Sequence, residues 1–153
     1  MEDRYLFRGK RIDNGEWVEG YLSYPFCTEK GNESYYFYAK DSLDFFCRCV
    51  VDASTICQCT GLKDKNGNLI WENDILMCHD NPKDLVKAVF GEFNVINVET
   101  LEAVDRVIGW HYEVAPTDTL SKMEPFCLPM PLTDEYLKRC EIEVVDNPEL
   151  LEV

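Results

Sequence analysis

Two Cys-x-Cys pairs, Cys47-Arg48-Cys49 and Cys57-Gln58-Cys59, stand eight residues apart. Four thiolates meeting on adjacent strands could close a tetrahedral Zn²⁺ site. The spacing argues against it, because structural zinc is usually gripped by C-x₂₋₄-C knuckles whose tight turn aims both sulfurs inward. The expectation is therefore thiols buried as small apolar side chains, since residues i and i+2 of a strand share a face. Cys78 and His79 adjoin on a predicted strand and so point to opposite faces, which defeats a nucleophile and base pair between them. His111, between Trp110 and Tyr112, reads as a packed or surface histidine. Glu72 and Asp74 could share a cation, but as flanks of a chain reversal they are expected to be cap and turn residues. No G-x-x-x-x-G-K-[ST], H-E-x-x-H or G-x-S-x-G occurs. No catalytic, cofactor-binding or metal-binding residue is assigned, and the chain is expected not to be an enzyme.

Aromatic side chains are the other concentration of chemistry. Trp17, Tyr21, Tyr35, Tyr36, Phe37, Tyr38, Phe45 and Phe46 crowd the first third, and a run such as YYFY puts large groups on both faces of a strand. Three readings are open: a face covered by another copy or partner, a two-sided core, and a base-stacking platform. The first is preferred, and overall charge weighs against the last.

The 153 residues suit one domain with one core. With 46% hydrophobic residues the chain is too apolar to be disordered despite a net charge of −14. Acids spread from Glu2 to Glu152 repel phosphate backbones, so direct nucleic-acid binding is disfavoured. MEDRYLFRGKR lacks the apolar run of a signal peptide, and no segment approaches a membrane span. A cytoplasmic location follows as the expectation, with the eight cysteines reduced.

The elements that must position these residues read as short strands. Residues 5–11 and 16–24 flank Asp13-Asn14-Gly15, a hairpin signal in which Asn-Gly suits two consecutive positive-φ positions. Residues 26–34 read as a loop, 35–40 as a strand, and 41–51 as a strand or a partly buried connection. Lys63-Asp64-Lys65-Asn66-Gly67-Asn68 is a second hairpin turn, with Asn66 and Gly67 able to go left-handed and Asp64 able to bond its neighbours' amides. At the reversal Glu72-Asn73-Asp74, Asn73 is expected at positive φ. Strands are predicted over 75–79 and 106–114, with two strands or one bent strand over 85–98. Four prolines make 115–131 an extended connection. Thr133 caps a helix over 133–140, residues 141–145 form a last strand, and Asn147-Pro148 opens a closing helical turn.

The stretch Thr60-Gly61-Leu62-Lys63-Asp64-Lys65-Asn66-Gly67, followed by Ile70-Trp71-Glu72-Asn73-Asp74-Ile75, resembles the signature of the YopX family of phage and prophage proteins. Phe7-Arg8-Gly9-Lys10-Arg11, Asn14-Gly15-Glu16-Trp17-Val18, Val107-Ile108-Gly109 and Asp146-Asn147-Pro148-Glu149-Leu150-Leu151 extend the likeness over nearly the whole chain. Where the family commonly has Gly, this chain has Asn73. The resemblance implies a mainly β fold: a small SH3-like β-barrel with additional hairpins and short C-terminal helical segments, carried by a phage or prophage. The expected organisation is one YopX-like domain over 1–153, in which the proline-rich 115–131 could set off 116–153 as an appendage. The resemblance transfers no activity, cofactor or site residue.

The resulting expectation is a non-enzymatic accessory protein whose barrel assembles with itself and engages a host or phage protein. Two alternatives are an acidic nucleic-acid mimic that occupies a host DNA-processing protein, and a zinc-dependent nucleic-acid-binding module.

Overall fold

The computed structural model describes residues 3–23, 26–29, 32–40 and 48–145, where the chain is mainly antiparallel strand. It divides at Gly61/Leu62 into two compact units. The first contains β1 (Phe7–Lys10), β2 (Trp17–Leu22), β3 (Phe26–Glu29), β4 (Asn32–Ala39), β5 (Arg48–Val51) and the start of β6 (Cys57–Lys63). Its strand order is β3-β4-β2-β1-β6, with β5 also paired to β4. The β1–β2 hairpin forms where the turn residues predict, but only Gly15 of the Asn-Gly pair takes positive φ, at 71°. Asn14 stays out of that region and uses its side-chain oxygen to accept the Glu16 amide at 3.0 Å. Residues 26–29 and 32–34, expected as parts of a loop, pair as antiparallel strands β3 and β4.

Phe37 and Val51 are fully buried in this unit. A Cβ on Gly9 would lie 3.3 Å from the Val51 Cβ and 3.5 Å from the Phe37 ring, so the missing side chain is what lets β1 pass over them. Beyond β1, Arg11 bridges Val51, and the Ile12 and Asp52 amides donate to the Val50 and Lys10 carbonyls. Among the described residues the sheet is not closed into the expected barrel. β1 is already paired with β2 and β6, and only its end remains for β5, so the return contact is an isolated bridge and not a ladder.

The second unit contains the end of β6, then β7 (Leu69–Trp71), β8 (Ile75–Met77), β9 (Leu85–Ile96), β10 (Ala103–Val114), β11 (Met130–Pro131), α1 (Asp134–Arg139) and β12 (Glu143–Val144). Its sheet is likewise open, in the order β11-β10-β9-β8-β12. Residues 85–96 form one continuous strand, matched along β10 from Val86↔Val114 to Ile96↔Ala103 with Gly91 opposite Gly109. Ile70, Leu76, Val86, Ala88, Leu137 and Ile142 build the core. Thr133 caps α1 as expected, accepting the Tyr136 amide at 3.1 Å, and Asp134 and Glu135 precede Lys138 and Arg139 in the order the helix dipole favours. Two predicted strands are shortened: β8 ends at Met77 because His79 and Asp80 turn to φ 50° and 53°, and β12 starts after Glu141 at φ 49°. No helix among the described residues is long and apolar enough to cross a membrane. The closing turn expected after Asp146 lies outside the described residues.

Candidate interaction site

The most recognisable letters of the sequence serve as scaffolding. The Asp64 carboxylate is buried and accepts the amides of Asn66 and Asn68 at 2.9 Å each, the Asn68 side chain at 3.2 Å and the distant Val144 amide at 3.1 Å. Burial opposes its ionisation, but the amides of Val144, Asn68 and Asn66 outweigh that and hold the carboxyl below its usual range. Gly67 takes φ 85° and Asn66 does not. Lys65 donates its amide to Ile142 and its ammonium to Asp80 and Glu143, which raise its pKa. At the next reversal Asn73 has φ 69°, as expected. Its amide reaches Ala88 at 2.8 Å, while Asp74 is buried and accepts the Trp71 amide at 2.9 Å. The Asp74 carboxylate is thus committed to the turn.

The sulfur and imidazole candidates are dispersed. Cys57 and Cys59 are buried on β6, and Cys49 is half-buried on β5; Cys47 lies outside the described residues. Burial pushes the Cys49 and Cys59 thiols up. Among the described residues no group of three or more His, Cys, Asp or Glu is placed to hold a metal. His111 is buried, stacked on Phe93 with ring centres 4.6 Å apart, and its Nδ1 lies 3.2 Å from the Gly109 carbonyl. His79 is not on a strand, as expected from sequence, but in a left-handed turn, with its Nδ1 4.0 Å from Glu141. Cys78 is buried, its sulfur 3.4 Å from the Tyr136 hydroxyl, and burial pushes the thiol up to about 12. A thiol held protonated in this way is a poor nucleophile.

Beside Cys78 opens a concavity of the second unit, about 520 Å³, within the range of ordinary ligand pockets. Val86, Tyr112, Val114 and Tyr136 line it from the core side. Tyr112 and Tyr136 stack with ring centres 4.5 Å apart, and burial pushes both phenols up. Val98, Leu101, Leu120 and Phe126 also line the cleft, yet they are 68%, 40%, 55% and 57% exposed. At the polar rim the Asp118 carboxylate accepts the Ser121 amide at 2.9 Å and is held low by it. The sequence reading missed this cleft because prolines made 115–131 look like a plain connection. The signal was there in Leu120, Met123, Phe126, Leu128 and Met130, an apolar frequency that a solvated linker does not have.

The aromatic run of the first unit divides between two faces. Phe37 points inward and is buried, whereas Tyr36 and Tyr38 are half-buried on the other side. Trp17 and Tyr21 remain 51% and 44% exposed. Phe45 and Phe46 lie outside the described residues.

Comparison with curated proteins and with solved structures finds no match. The family model of the YopX protein matches residues 6–152. That span takes in both turn systems whose hydrogen bonds are given above, and the chain belongs to the YopX family.

Proposed function

We propose that this chain is a non-enzymatic, phage-type accessory protein that works by protein interaction and self-assembly, with the second-unit cleft as its contact surface. The observation that carries the reading is the convergence of Val98, Leu101, Leu120 and Phe126, all well exposed, on one concavity. Large apolar side chains gathered in one exposed place usually mark a surface that a partner covers. The titratable groups of the cleft support recognition over catalysis. Cys78, Tyr112 and Tyr136 are all driven toward their neutral forms by burial, the opposite of what an activated nucleophile needs. An apolar segment of a second copy or of a host or phage protein would fill the space.

Size-exclusion chromatography with light scattering over a dilution series from about 100 μM to about 1 μM tests the assembly, which mass action must dissociate. The wild-type mass exceeds 17.8 kDa at the upper end and falls on dilution, and Phe126→Asp stays at the single-chain mass throughout. A single-chain mass at every concentration sinks self-assembly. An unchanged assembly in Phe126→Asp sinks the cleft as its surface.

A further inference from the structure

The net charge of −14 is unevenly divided. Residues 1–61 carry 7 Lys and Arg against 10 Asp and Glu, a net −3, whereas residues 62–153 carry 8 against 19, a net −11. The repulsion of phosphate inferred for the whole chain is thus mostly a property of the second unit. On the first unit, strand alternation sorts the side chains. Gly9 faces Val51 and Phe37, so Arg8 and Lys10 face the other way. The register then fixes what shares that outer face. Lys10 lies opposite Trp17 and Arg8 opposite Glu19, while Tyr21, Tyr38 and Arg48 follow one another across β2, β4 and β5. The Lys40 ammonium lies 3.8 Å from the Glu19 carboxylate.

Cations and rings are already in contact there. The Arg8 guanidinium lies 4.9 Å and the Lys10 ammonium 5.4 Å from the centre of the Trp17 ring, and Arg48 lies 4.4 Å from that of Tyr36. On the strand register Arg8, Lys10, Lys40 and Arg48 therefore share one face with the Glu19 carboxylate and with the rings of Trp17, Tyr21, Tyr36 and Tyr38. Aromatic rings interleaved with cations on one sheet face offer the two contacts that a single strand of nucleic acid uses, since its bases stack while its phosphates pair with Lys and Arg.

From this juxtaposition we infer that the exposed β1-β2-β4-β5 face of the first unit is a binding platform for single-stranded nucleic acid, a site separate from the apolar cleft. Stacking and phosphate pairing do not read the sugar, so DNA and RNA strands are the same occupant to this face.

Fluorescence anisotropy of a labelled dT oligomer of about 12 nucleotides tests the platform with the full chain at about 50 mM salt. Saturable micromolar binding is expected, with a log–log salt slope near −2 to −3, since each phosphate contact on a single strand contributes about −0.7. A U oligomer of equal length binds within about threefold, because stacking is sequence- and sugar-tolerant. Trp17→Ala with Tyr21→Ala weakens binding about tenfold or more. Lys10→Glu with Arg48→Glu abolishes it, and Ile108→Ser, a substitution of an exposed side chain of the second unit, leaves it unchanged. Acetylation footprinting needs no variant: the oligomer protects Lys10 and Lys40 in the wild-type chain. The inference is overturned by no saturable signal at about 100 μM protein, where even weak electrostatic binding registers, by unprotected Lys10 and Lys40, or by affinity that survives the Trp17 and Tyr21 pair.

Discussion

A single carboxylate ties the signature turn to the far end of the chain. Asp64 gathers the amides of Asn66 and Asn68 from its own turn and that of Val144 from β12. An asparagine there keeps the shape but turns an NH₂ group toward those donors. Asp64→Asn is expected to cost about 1–3 kcal/mol, the penalty for leaving buried donors unsatisfied. The pH dependence has a definite sign. The folded pKa lies below the unfolded value of about 3.9, so the stabilisation is present above that value and is lost as pH falls through the folded pKa. Urea midpoints of wild type and variant should differ most near neutral pH and converge on acidification; a gap that stays constant would show that Asp64 acts through something other than its charge. The turn role of Asp64 and the positive φ of Asn73 were legible from residue type. Its bond to Val144 was not, because nothing local marks a partner 80 residues away.

Strand β1 shows how one residue sets the packing of an element. A Cβ at Gly9 would press on the Val51 Cβ at 3.3 Å and already touch the Phe37 ring at 3.5 Å, leaving no space for the further carbons of a larger side chain without movement. Gly9→Val should therefore destabilise by about 1–3 kcal/mol through overpacking, read as a lower thermal midpoint. A midpoint unchanged within error would mean that β1 can move away freely. Alternation and Asn-Gly turns made the first hairpin and the cap at Thr133 readable, because those signals are local. The pairing of β3 with β4 was hidden in a polar stretch, and over 85–96 the interruption at Gly91 left two strands or one bent strand open, of which the structure has the single strand. Pairing with Gly109 carries the strand through, which is a tertiary decision.

Over the whole molecule, uneven charge sets the response to salt. The second unit holds a net −11 and the first −3, and like charge held in a folded unit opposes its compact state. Rising ionic strength screens that repulsion, so protection of β9 and β10 amides in hydrogen exchange should increase with salt more than that of β4 amides. Equal or greater gains in β4 would refute this account. Composition showed the total, while only the division at Gly61/Leu62 showed where the charge resides and left an aromatic, cationic face on the less acidic side.

What the amino-acid order determined by itself was everything decided within a few residues: the mainly β character, the left-handed turns at Gly15, Gly67 and Asn73, the cap at Thr133, and a family signature made of such turns. Tertiary structure alone decided that the sheets stay open, that 115–131 walls a cleft, and that Lys10, Trp17, Tyr21 and Arg48 share a face. Turn chemistry is set by φ preferences and short-range hydrogen bonds, whereas closure, concavity and shared faces depend on which distant strands pair and in what register.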